Sequence, residues 1–166
     1  MRIRSWDKDK ALLAVEEVSR MPFRWAVGLD GSRFFREIDA RGILVGIRCP
    51  KCGRVYVPPR GVCGPCFARM EELVDLGTEG TVEAVTLVNY PFIDPETGDR
   101  RPVPYSYGYI RLDGADNLFS HVIRTEVGSP VRVGDRVRAV FAATMRGRIE
   151  DIACFESAHA AAGEKR

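Results

Sequence analysis

Two C-x-x-C pairs separated by ten residues, followed by five short strand-like runs between residues 81 and 156, predict a mainly β protein of 166 residues. The expected order is an N-terminal helical segment, a rubredoxin-like zinc ribbon, and a five-stranded barrel of the OB type. The expected boundaries are 1–42 for the N-terminal arm and helices, 43–72 for the ribbon, 73–156 for the barrel and 157–166 for a flexible tail. Hydrophobic residues make up 45% and charged residues 29% of the chain, a globular balance rather than a disordered one. No run of eighteen apolar residues occurs, so no membrane-spanning helix is expected. A net charge of +2 is far from the basic excess of an electrostatic nucleic-acid binder.

At the N-terminus, Ala11-Leu12-Leu13-Ala14-Val15 with Glu16-Glu17-Val18 predicts a short amphipathic helix ended before Pro22. Phe23, Trp25 and Val27 then alternate like an extended arm. Met1 to Arg20 interleaves charge with short apolar pieces and holds no apolar core of a secretory signal, so a cytoplasmic protein is expected. A second helix is predicted over 32–41: Ser32 caps its start, Phe34, Phe35 and Ile38 share a face, and Gly42 stands where a C′ glycine belongs. Ile43 to Ile47 is an apolar strand leading into the ribbon.

The barrel strands follow. Thr81 to Val88 is rich in β-branched residues, and a Pro-rich loop runs from Pro91 to Pro104. Tyr105 to Leu112, a turn at Asp113-Gly114-Ala115-Asp116-Asn117, and Leu118 to Arg124 come next. Val131 to Phe141, opened by Val133-Gly134-Asp135, and Ile149 to Glu156 complete the five, joined by a loop at Arg146-Gly147-Arg148. The tail from Ala158 is small and polar and is expected to fray.

The chemistry lies in Cys49-Pro50-Lys51-Cys52 and Cys63-Gly64-Pro65-Cys66. A tetrahedral ion needs four thiolates at about 2.3 Å, and each C-x-x-C turn presents two of them from one knuckle. Pro50 and Pro65 restrict the turns, while Gly53 and Gly64 tolerate positive φ where the backbone folds over the sulfurs. The β-like run from Gly53 to Pro59 brings the second knuckle back to the first. A structural zinc ion fits this set best, since four thiolates leave no open position for a catalytic water. A rubredoxin-like iron centre uses the same knuckles, and spacing alone does not choose between the metals. Thiol–disulfide chemistry needs only one such pair. Cys154, within Ile152-Ala153-Cys154-Phe155, reads as a small buried hydrophobe.

Taken together, the helix, the C-x-x-C-Gly knuckle, Pro58-Pro59-Arg60, the second C-x-x-C, Pro104-Tyr105 entering the second barrel strand and Val133-Gly134-Asp135 entering the fourth resemble a known family. It is the zinc-ribbon/OB-fold family catalogued as domain of unknown function 35, and the resemblance covers roughly residues 30–156. What it implies is an accessory role in a hetero-oligomer with a thiolase or related acyl-CoA condensing enzyme. Settings of that kind include archaeal mevalonate synthesis, steroid side-chain removal, phloroglucinol acetylation and the anaerobic toluene (benzylsuccinate) pathway. By the same resemblance, ribbon and helix dock on the partner, and the barrel helps close its coenzyme A entrance.

No catalytic residue of the chain's own is expected. There is no Gly-rich phosphate loop or nucleophile elbow, His121 lies between apolar strand neighbours, and His159 lies in the tail. Arg132, Arg136 and Arg138 share one side of a strand and are candidate contacts for coenzyme A phosphates, unless they form a solvated face partly neutralised by Asp135. Tyr105, Tyr107 and Tyr109 alternate on one face, where an OB barrel stacks bases. Trp6, Phe23 and Trp25 in the arm suit a partner groove, as does the loop 91–104. Pro58, Pro59, Arg60 and Tyr105 join them as candidate partner contacts. The alternatives to the accessory reading are a stand-alone acyl-CoA-binding protein and a single-stranded nucleic-acid module.

Overall fold

The structure of the protein, a computed structural model, describes residues 2–7, 12–16, 26–93, 98–100, 102–124 and 130–158. The chain forms two compact units, residues 1–26 with 92–101, and residues 27–91 with 102–166.

In the first unit β1 (Arg2–Asp7) and β2 (Leu12–Glu16) pair antiparallel, with Arg2 opposite Glu16 and Ile3 opposite Val15. The helix expected over 11–18 is therefore corrected to a strand at 12–16. Five apolar residues in succession suit a helix face and a strand equally, and a neighbouring strand supplies the ladder that decides between them. Ile93 and Arg100 form an isolated bridge within the loop of this unit. Phe23 and Trp25 lie outside the described residues.

The second unit opens with α1 (Gly28–Arg41), which starts four residues before the expected position. Val27 occupies the N-cap without a side-chain cap, and the Ser32 hydroxyl donates to the Gly28 carbonyl at 2.6 Å instead of capping. The stop is the expected one: Gly42 adopts φ 62° and donates its N–H to the Ile38 carbonyl at 2.9 Å. Phe34 and Ile38 form the buried face.

Next come β3 (Leu44–Arg48), β4 (Val55–Tyr56) and β5 (Glu72–Gly77), a three-stranded antiparallel sheet with β3 in the centre. A Cβ on Gly46 would sit 2.6 Å from Val55 Cγ1, so glycine lets β4 pack close. Through its pairing with β3, β5 carries the ribbon sheet across residues 72 and 73.

The barrel is closed by β6 (Glu79–Val88), β7 (Tyr105–Leu112), β8 (Phe119–Ile123), β9 (Arg136–Phe141) and β10 (Ile152–Ser157), in the order β10-β8-β7-β6-β9. All neighbours are antiparallel except β8 and β10, which run parallel. β7 alternates as a barrel strand must: Ser106, Gly108, Ile110 and Leu112 point inward, and Tyr107 and Tyr109 outward. Two strands, β9 and β10, start three or more residues later than expected. Val133 and Gly134 make a turn, with Gly134 at φ 93°, and Ile149–Asp151 is one 3₁₀ turn.

One core runs through this unit, from Phe34 and Ile38 of the helix through Leu44 and Val57 of the ribbon to Val82, Ile110 and Phe155 of the barrel. The barrel turn 113–117 also grips the ribbon by hydrogen bonds. Asp116 accepts the Val55 N–H at 2.8 Å and returns its own N–H to the Val55 carbonyl at 2.9 Å. The Asn117 amide accepts the Val57 N–H at 2.8 Å and donates to the Val57 carbonyl. Asp116 and Asn117 thus satisfy the outer edge of β4 and the residue after it as a further strand would.

Candidate metal centre

Each knuckle folds by the same local rule. The Cys49 carbonyl accepts the Gly53 N–H at 2.9 Å, and the Cys63 carbonyl accepts the Phe67 N–H at 2.8 Å. The residue after the second cysteine of each pair is left-handed: Gly53 at φ 74° and Phe67 at φ 53°. The expectation that Gly64 supplies positive φ is corrected here, because the turn places that demand on Phe67.

The knuckles bring the sulfurs of Cys49, Cys52, Cys63 and Cys66 within 4.8 Å of one another. Cys52 and Cys63 Sγ stand 3.7 Å apart, the spacing of two ligands on one tetrahedral ion. Cys49 and Cys63 are buried beside Ile47, Tyr56 and Met70, whereas Cys52 faces solvent. The Tyr56 hydroxyl, 3.4 Å from Cys63 Sγ, holds that thiol down at about 6, with further help from the Cys66 N–H and the Cys49 and Cys52 sulfurs. Its hydrogen bond to Cys52 pushes the Cys66 thiol up to about 12. The thiols share protons that a metal displaces on binding. Four converging thiolates suit zinc, and they would hold it as a closed structural site that polarises no substrate.

Two shells surround the sulfurs. The Arg54 cation interacts with the Tyr56 hydroxyl, and Arg60 lays its guanidinium over the Tyr56 ring with Cζ 3.7 Å from the centroid. On the outer side Phe67 is 84% exposed, next to a groove of about 490 Å³ lined by Leu29, Arg33, Val62, Phe67, Met70 and Glu71. Leu29 and Val62 are exposed as well. Sequence reasoning passed over Phe67 and Tyr56. The only sequence signal for Phe67 was its place one residue after a C-x-x-C, where the first knuckle has glycine.

The remaining candidates are placed as follows. Pro58 is exposed, Pro59 buried and Tyr105 half-buried. Trp6 lies in β1. Arg136 forks onto Asp113 at 2.6 and 2.7 Å and reaches Glu79 at 3.1 Å, and Arg138 bonds Glu156 at 2.9 Å. These carboxylates, rather than Asp135, neutralise the strand face, and Asp135 instead accepts the Arg132 N–H. Arg132 itself is exposed. His121 stacks on Phe119 and meets Phe155 edge-on, a packing position. Cys154 is buried, and burial raises its thiol. His159 lies outside the described residues. Among the described residues no helix is long and apolar enough to cross a membrane.

Known proteins repeat this arrangement. The rubredoxin-like zinc ribbon domain of ChsH2 matches residues 36–72, and the C-terminal OB-fold domain of ChsH2 matches residues 73–142. A DUF35 domain-containing scaffold protein of Methanocaldococcus jannaschii is 30% identical over 110 residues, 66% of this chain and 74% of that protein. One from Methanothermobacter thermautotrophicus is 29% identical over 112 residues, 66% of this chain and 79% of that protein. Among solved structures, a DUF35 protein of unknown function from Sulfolobus solfataricus superposes with a TM-score of 0.57 at 23% identity, covering 78% of this chain and 86% of that one. An Ltp2–ChsH2(DUF35) aldolase superposes with a TM-score of 0.59 at 20% identity, covering 81% of this chain and 99% of the other. With its four-cysteine ribbon stitched to a closed five-stranded barrel, the chain belongs to the DUF35 family of zinc-ribbon/OB-fold proteins.

Proposed function

We propose that this protein is a non-catalytic zinc-binding accessory subunit of a thiolase-type acyl-CoA enzyme, docked through the second knuckle of its ribbon and the start of α1. The observation that carries this reading is Phe67, a large aromatic 84% exposed and held at φ 53°. A non-glycine left-handed residue costs about 1–2 kcal/mol, and among the described residues nothing repays that cost by burying the ring. An aromatic presented rigidly beside Leu29 and Val62 suits the centre of a protein interface. The charges around it are paired with each other, Arg33 with Asp30 at 3.9 Å and Arg69 with Glu71 at 2.9 Å. The patch is thus apolar at its centre with a neutral polar rim, which fits a folded protein better than a polyanion. The scaffold name of the archaeal relatives and the aldolase complex of the structural neighbour also favour an enzyme partner.

In this reading the zinc holds the ribbon in shape, and the barrel closes the partner's coenzyme A entrance with its outward Tyr107 and Tyr109. With Arg136 and Arg138 committed to carboxylates, Arg132 is the guanidinium left for a coenzyme A phosphate. The loop 91–104 and the arm with Trp6, Phe23 and Trp25 are further partner contacts.

The test is affinity purification of the tagged full chain from its native cells, with mass spectrometry and a metal assay on the same sample. A stoichiometric thiolase-type enzyme with about one zinc per chain, lost when Phe67→Ala is the bait, is the expected result. A lone zinc protein would refute the accessory reading and turn attention to direct acyl-CoA binding.

A further inference from the structure

We propose that Tyr56 is a positioning and charge-compensating residue of the metal centre, its phenol O–H donating to the Cys63 sulfur while Arg54 and Arg60 polarise it. Four thiolates around a divalent ion leave a surplus of negative charge, and here Cys49 and Cys63 are buried. Charge buried in this way is tolerated only where hydrogen bonds and cations offset it.

Tyr56 is placed for that task. It is 5% exposed, and its hydroxyl stands 3.4 Å from Cys63 Sγ. A thiolate has no proton to give, so toward the metal-bound sulfur the phenol is the donor. Its oxygen in turn lies within the influence of the Arg54 cation, and a donor polarised by a neighbouring cation is strengthened. Arg60, 3.7 Å above the ring centroid, adds a second positive charge on the aromatic face. The chain from Val57 through Pro58 and Pro59 turns back so that Arg60 covers the residue four positions before it. This gives Arg60, singled out by sequence for a partner, a role within the chain. Metal sites depend on such outer partners to orient and tune their ligands.

The inference concerns the metal alone and does not rest on the thiolase reading. It is tested on the zinc-loaded full chain with Tyr56→Phe, which keeps the packing and removes the hydroxyl, and Arg54→Gln, which removes a cation at an exposed position. Two readouts serve: the rate of zinc transfer to 4-(2-pyridylazo)resorcinol, and the sulfur-to-metal charge-transfer band of the cobalt-substituted protein. Tyr56→Phe is expected to release zinc about tenfold faster, and Arg54→Gln to show a smaller increase. Both should move the cobalt band to lower energy, because a sulfur without its hydrogen bond gives up electron density more easily. Wild-type release and an unmoved band in both variants would overturn the proposal. Fast release from Tyr56→Phe alone, with the band unmoved, would also overturn it by reducing Tyr56 to packing.

Discussion

Substituting Phe67 separates backbone strain from side-chain packing. Ordinarily glycine in place of alanine lowers stability by about 0.5–1 kcal/mol, because glycine loses more freedom on folding. At φ 53° the order reverses. An alanine there keeps the left-handed strain of about 1–2 kcal/mol, and a glycine removes it. Since both variants lose the same ring, Phe67→Gly should be more stable than Phe67→Ala by about 0.5–1 kcal/mol once the chain-entropy term is subtracted. Losing the ring itself costs little. With 84% of it exposed, the buried remainder is on the order of 30 Å², or about 0.8 kcal/mol at 25 cal/mol per Å². A buried phenylalanine would cost about 3–5 kcal/mol. Urea titration of the zinc-loaded variants measures the difference directly, and thermal melting should separate them by about 1–4 °C. Greater stability of the alanine variant would refute the strain argument, and with it the reason for reading Phe67 as held for a partner.

Cys52→Ser removes one of the four sulfurs, and the ribbon should lose zinc and its sheet while the barrel persists; metal analysis with far-ultraviolet circular dichroism checks it. Asn117→Ala leaves the Val57 N–H and carbonyl without partners, and a loss of about 1–3 kcal/mol is expected in urea unfolding. Asp151 is 3% exposed, and burial pushes its carboxyl up, yet the N–H groups of Arg146, Gly147 and Arg148 outweigh this and leave it below the usual range. A group lowered in the folded state adds stability above its unfolded pKa of about 3.9 that is lost as pH falls through the folded value. Unfolding free energies at pH 7 and in the acid range below about pH 4 should therefore differ less for Asp151→Asn than for the wild type.

The parts of this protein that were legible in the sequence are those specified within a few residues. The four cysteines declare their site because a C-x-x-C turn is closed by its own backbone. Gly42 marks the helix stop because only a local left-handed turn is needed, and Tyr105–Leu112 reads correctly because its period of two survives whatever lies beside it. The N-terminal helix was misread where the pattern was too short to choose between two periods. The strand Glu72–Gly77 is not legible in the sequence because nothing in it names β3 as its neighbour.

The sequence by itself determined a metal ribbon followed by a five-stranded barrel. Only the tertiary structure decided what surrounds the metal and which surface is left open. Tyr56 meets Cys63, Arg136 meets Asp113, and Asn117 of the barrel meets Val57 of the ribbon, 60 positions away. Phe67 bears a strain that no propensity encodes. A hydrogen bond or an ion pair depends on the distance between atoms, and once the chain has turned back on itself, distance in space no longer follows distance along the sequence.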